Sequence, residues 1–159
     1  MASVKPVPEG YHTITPYLSV TDGEAAIEFY KKAFGAQELF RMPGAGGKGI
    51  GHAEIKIGDS HVMLADEAPD LNFRSPQTLG GSPVMLYLYV DDSDAWFDRA
   101  VKAGAKITRP LEDQFYGDRS GCVDDPWGHR WYLSTHKEDV SPEELEKRAK
   151  KAQEEMSAK

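Results

Sequence analysis

Cysteine is almost missing: Cys122 stands alone among 159 residues. No internal disulfide can form, which leads to the expectation of a reducing compartment, the cytoplasm. There is no apolar run of membrane-spanning length, and the opening MASVKPVPEG has no apolar signal core, so no membrane partner is expected. Positive charge is in deficit. Nineteen Lys and Arg face 26 Asp and Glu, for a net charge of -7, which argues against a nucleic-acid backbone as partner. A phosphate-cradling loop is also absent. In the glycine-rich PGAGGKGIG (43–51), Lys48 is followed by Gly49 and then a strand pattern, where such a loop needs Ser or Thr and a helix.

What remains is an ordinary apolar content of 40% in a chain long enough to bury a core without staples. His12–Val20 alternates, with Ile14, Leu18 and Val20 on one face, and Pro16 marks an edge strand. Thr21 or Asp22 caps a helix to Phe34 whose buried stripe is Ala26, Ile27, Tyr30, Ala33 and Phe34, and Gly35 stops it. Short strands follow at Gln37–Met42, His52–Ile57 and His61–Asp66. Residues 67–82 carry Pro69, Pro76, Gly80 and Gly81 without periodicity and read as a linker. Pro83–Val90 alternates again. Asp91 or Asp92 then caps a second helix with Ala95, Trp96, Phe97, Ala100 and Val101 inward, Gly104 stops it, and Lys106–Pro110 is a strand.

This is an internal repeat. Displaced by seventy places, Tyr17 falls on Tyr87, Leu18 on Leu88, Val20 on Val90, Asp22 on Asp92 and Gly58 on Gly128. The expectation is an α+β fold of two tandem βαβββ modules, 11–66 and 83–136, joined by the 67–82 linker. Their eight strands would make a cupped mixed sheet around a cleft. In the tail, Ser141 and Glu144 form a capping box, with Pro142 at the first helical position, so a C-terminal helix spans 140–157.

The stretch Gln114–His136 ends the second module as a hairpin. Gly117-Asp118 opens it, Asp125-Pro126-Trp127-Gly128 turns it, and His129–Thr135 alternates bulky with polar residues. The D-P-x-G-H turn before an alternating strand resembles the last hairpin of the vicinal oxygen chelate superfamily, the glyoxalase / bleomycin resistance / extradiol dioxygenase proteins. FYGDR, DPWGH and THKEDV together resemble its bacterial branch named after a phosphonate-operon protein. The resemblance covers about Tyr11 to Val140. It implies paired βαβββ modules, a homodimer, and a divalent ion held by His, Glu or Gln on the first and last strands of each module. Those positions are here Thr15, Met85, Tyr132, and Met63 or its neighbour Val62, none a usual ligand for such an ion. No cofactor is therefore expected. A divalent ion could be held only by His52 and Glu54, two apart on one strand face, with His61; a catalytic metal needs about three protein ligands.

The residues expected to face the cleft are Thr15, Tyr17, His52, Glu54, Met63, Met85, Tyr87, Tyr89, Arg130 and Tyr132. Tyrosines offer flat apolar area with a polar tip and methionines fill irregular gaps, so an aromatic or cationic small molecule is the expected partner. The alternative is a glyoxalase-type lyase, isomerase or thiol transferase with His52 or Glu54 as general base. His129 reads as a structural residue of the hairpin, His136 as an exposed strand end, and Cys122 as a small strand residue.

Overall fold

The computed structural model describes residues 4–157. Along the chain come β1 (Tyr17–Val20), α1 (Gly23–Phe34), β2 (Gln37–Pro43), β3 (Ile50–Ile57), β4 (Ser60–Asp66) and the single turn α2 (Pro76–Leu79). They are followed by β5 (Met85–Tyr89), α3 (Ser93–Ala103), β6 (Lys106–Asp113), β7 (Asp118–Asp124), β8 (Arg130–His136) and α4 (Pro142–Ser157). The strands form two four-stranded sheets, β1-β4-β3-β2 and β5-β8-β7-β6. Each is mixed, with only the first strand of a module parallel to the last. Tyr17 lies opposite Met63 as Tyr87 lies opposite Tyr132, so Met63, not Val62, is the counterpart of Tyr132.

The two caps act alike. Asp22 accepts from Ala25 N–H and Asp92 from Ala95 N–H, both at 3.0 Å, and Gly35 and Gly104 end the helices at φ 64° and 117°. Helices α1 and α3 pack on each other, and both sheets turn their apolar faces to them. Val20, Ala53, Ile55 and Leu64 from one sheet share a single core with Val123, Trp131 and Leu133 from the other. Phe34 and Tyr30 of α1 reach Trp131 across the midline, with centroids 4.8 and 5.5 Å apart. Fully burying one such side chain contributes about 1.5–3 kcal/mol, so this shared layer holds the modules together.

The DPWGH motif ties the layers. The buried Asp125 carboxylate accepts from Tyr30 O–H (2.7 Å), Trp131 Nε1–H (2.9 Å), and the N–H groups of Trp127 and His129 (3.0 Å each). Burial raises the pKa of Asp125 and lifts that of Tyr30 well above the phenol range. His129 Nε2 donates to Ser19 O at 2.8 Å, so this histidine is structural but reaches out of its hairpin into β1.

Two expected boundaries and one expected inward residue shift. The first strand starts at Tyr17, not His12, and Ile14 is 85% exposed. Pro16 has no N–H, so the ladder takes only its carbonyl, from Met63 N–H at 2.9 Å. Ala95 is exposed, whereas Phe97 and Ala100 are buried. β6 continues through Pro110 to Asp113 as a bulged edge strand. Helix α4 buries no residue and is tied down by Arg148, which donates to both oxygens of Glu138 and to Glu144. Among the described residues no helix is long and apolar enough to cross a membrane.

Candidate functional site

Because α1 and α3 fill the space between the sheets, the faces carrying the expected site residues point away from each other. Tyr17, His52, Glu54 and Met63 lie on the outer face of the first sheet. Met85, Tyr87, Tyr89, Arg130 and Tyr132 lie on the outer face of the second. The ten residues do not meet in one cleft within a single chain. Alternation had assigned each strand residue to the correct side of its sheet, but it carries no information on which module that side faces.

On the first face, β1 and β3 bring together a chain of polar groups. Tyr17 O–H donates to His52 Nδ1 at 2.8 Å, and His52 Nε2–H donates to Glu54 Oε1 at 3.3 Å. Tyr11, from the segment before β1, donates its hydroxyl to Glu54 Oε2 and stacks on His61, with centroids 4.2 Å apart. The Tyr11 bond, then His52, holds the Glu54 pKa below its ordinary value. Burial and then the Glu54 carboxylate push Tyr11 up to about 12, and burial raises Tyr17. Phe73 lies edge-on to Tyr17 at 5.2 Å, so the 67–82 segment does reach over this face.

On the second face, Tyr87 and Tyr132 are parallel, 7° between planes and 5.3 Å between centroids. The Arg109 guanidinium sits 6.0 Å over the Tyr132 ring. Below them lies a polar floor. Tyr89 O–H (3.1 Å), Ser134 O–H (3.2 Å) and Tyr87 O–H (3.4 Å) converge on Oδ2 of the buried Asp118. His136 Nδ1 meets Asp118 Oδ1 at 2.8 Å. Burial raises the pKa of Tyr87 and Tyr89, which stay protonated as donors to this floor. Arg130 does not pair with His52 or Glu54; its guanidinium grips Asp124 at 2.7 and 3.0 Å. Cys122 is buried beneath, and burial raises its thiol pKa, as suits a packing residue.

A crevice of about 600 Å³ opens between the modules, bordered by Thr15, His61, Trp96, Trp131 and the consecutive residues Leu86–Asp91. Thr15 precedes β1 and belongs here rather than to the first face. Val90 N–H, facing β8, bonds Ser134 O; the alternate residues Met85, Tyr87 and Tyr89 turn their backbone groups toward the crevice side.

The side chains at the four positions where the resemblance places metal ligands are a threonine at the crevice, a methionine on the first face, and a methionine and a tyrosine on the second. This donor set does not fit a hard or borderline divalent ion. Nor does His61 join His52 and Glu54 in a common grip, because Tyr11 stands between it and the carboxylate, and no group of three or more His, Cys, Asp or Glu among the described residues could hold one. Sequence reasoning missed Tyr11, Arg109, Asp118 and Ser134. Asp118 was within reach, since it shares the parity of Cys122 and Ser120; Tyr11 lies outside any periodic segment and gave no signal.

Comparison with known proteins finds the same fold elsewhere. The Glyoxalase/Bleomycin resistance protein/Dioxygenase superfamily profile matches residues 11–133. An uncharacterized protein of Mycobacterium tuberculosis is 46% identical over 136 residues, covering 84% of this chain and 79% of that one. The crystal structure of TioX from Micromonospora sp. ML1 is similar at 29% identity and TM-score 0.62, over 79% of this chain and 98% of TioX. A PhnB protein from Bacillus cereus shares the fold at 19% identity and TM-score 0.61, over 78% and 99% of the two chains.

Proposed function

Because the chain belongs to the glyoxalase/bleomycin resistance protein/dioxygenase superfamily, we propose that it binds a small aromatic or cationic molecule without the divalent ion its relatives' fold can hold. The binding cavity is closed when the first face of one copy meets the second face of another copy. The observation that carries this reading is the parallel pair Tyr87 and Tyr132. Tyr87 is 43% exposed, its neighbours Tyr89 and Met85 67% and 56%, yet the Tyr87 and Tyr89 hydroxyls are held from below by Asp118, and Tyr132 is stacked on Tyr87. Rigid, exposed aromatic surface is what a flat ligand needs, and Arg109 already places a cation on one of these rings.

Thermal-shift measurement with a panel of planar aromatic cations and neutral aromatics tests the reading. A binder at about 100 times its Kd adds roughly 2.7 kcal/mol and raises the midpoint by several degrees. The shift disappears in Tyr132→Ala and Tyr87→Ala. If no compound of the panel moves the midpoint, the reading fails.

A second reading, an enzyme of lyase, isomerase or thiol-transferase type with His52 or Glu54 as base, is favoured by one observation. Both nitrogens of His52 are engaged, by Tyr17 and Glu54, in the manner of an oriented base.

A further inference from the structure

Tyr17, His52 and Glu54 are ordered as a relay with one open end. The carboxylate of Glu54 accepts from His52 Nε2–H, which sets the tautomer that leaves Nδ1 as acceptor. Nδ1 in turn accepts a hydrogen bond from the Tyr17 hydroxyl. The phenolic oxygen therefore has its proton committed backward, and Tyr17 is 47% exposed on the open face. Tyr11 fixes the other oxygen of Glu54, so the carboxylate cannot swing away. A merely structural tyrosine at so exposed a place would be served as well by water.

We propose that Tyr17, His52 and Glu54 form a proton relay that makes the Tyr17 oxygen the reactive group of the first face, accepting a proton from a small molecule with an acidic O–H, N–H or C–H. This rests on the reading of that face as part of the binding cavity. In the resting state Tyr17 keeps its proton. As its oxygen takes the ligand's proton, its own proton passes to His52 Nδ1, and the imidazolium is stabilised by the Glu54 carboxylate. One O–H bond forms and one breaks at Tyr17, one N–H bond forms at His52, and the ligand is left as its conjugate base. No metal or further reactant enters the balance.

The same hand-off makes Tyr17 a nucleophile, which p-nitrophenyl acetate reports without any knowledge of the natural ligand. The phenolic oxygen attacks the ester carbonyl, its proton goes to His52, and p-nitrophenolate leaves as the acetyl group stays on Tyr17. Site-resolved mass spectrometry of the full chain at neutral pH should find Tyr17 acetylated at least ~10-fold faster than Tyr89, which is the more exposed ring but lacks a histidine base. His52→Gln should slow Tyr17 by about 100-fold and Glu54→Gln by about 10-fold, with the Tyr89 rate unchanged as the measure of intact folding. Tyr17→Phe should remove the fast phase of p-nitrophenolate release. Equal rates at Tyr17 and Tyr89 in the unsubstituted chain overturn the relay, as does a Tyr17 rate indifferent to His52→Gln. The reporter needs no prior complex, so a relay can fail while the thermal-shift panel finds ligands, and the reverse.

Discussion

His52 and His136 show how the same side chain serves opposite ends on the two faces. His52 sits between a hydroxyl donor, Tyr17, and a carboxylate acceptor, Glu54, so one ring nitrogen accepts and the other donates. His136 sits between two carboxylates, Asp118 at 2.8 Å and Asp139 at 2.9 Å, an arrangement both of whose bonds are made only by the protonated ring. Asp118 first and Asp139 second accordingly raise its pKa. A raised folded-state value means the stabilisation is complete below the unfolded value, ~6.5, and is lost as pH rises through the folded one. The thermal midpoint should therefore decline across that window, and His136→Gln should flatten the decline. NMR titration of the His136 ring checks the cause directly: a pKa at or below the ordinary value sinks the prediction. The side chain is about half exposed, so solvent screening keeps the effect small. At this scale the sequence disclosed that His52 and Glu54 share the face of their strand opposite the apolar one, but had that face turned inward to a cleft. It did not disclose the partners of Tyr11 and Asp118, which lie 43 and up to 31 residues away. Such contacts are made by tertiary approach, for which local periodicity has no counterpart.

The strands and helices themselves were far more legible, because period and caps are local properties. Asp22, Gly35, Asp92 and Gly104 bound their helices as their chemistry requires. The first strand was overextended, because alternation across His12–Pro16 continues the pattern while Pro16 ends the ladder. Gly121 in β7 was unremarked, yet it governs how closely α3 approaches its sheet. A Cβ there would stand 2.6 Å from Phe97 Cε2 and 3.0 Å from the Leu111 Cα in β6. A phenyl ring buried in a packed core and a backbone carbon cannot both withdraw without moving α3 off the sheet. Gly121→Ala should destabilise the chain by about 1–3 kcal/mol, the usual range for overpacking, read as a lower urea midpoint at unchanged slope. A neutral result would mean that α3 is held less tightly than the contacts imply.

For the molecule as a whole, the sequence foretold two modules but turned them toward each other, because a strand's apolar alternation says which face is buried and not what buries it. Here α1 and α3 satisfy both sheets at once, and the aromatic faces are left outward. The strand edges then differ in a telling way. β2 and β6 are guarded: both are bulged, and they carry Pro43 and Pro110 among Glu38, Arg41, Lys106 and Arg109. β1 and β5, YLSV and MLYLY, have neither bulge, proline nor charge, and β5 runs along the open crevice. An unguarded edge beside an apolar crevice suits pairing with another strand, and a second copy supplies one together with the other half of the proposed cavity. The chain should sediment as a dimer at micromolar concentration. Met85→Lys, at an exposed position that leaves the core untouched, should raise the dimer dissociation constant by at least ~10-fold, since ~1.4 kcal/mol suffices and burying an uncompensated charge exceeds that. If the unsubstituted chain sediments as a monomer, the shared cavity is lost as an explanation, and each face would have to bind by itself.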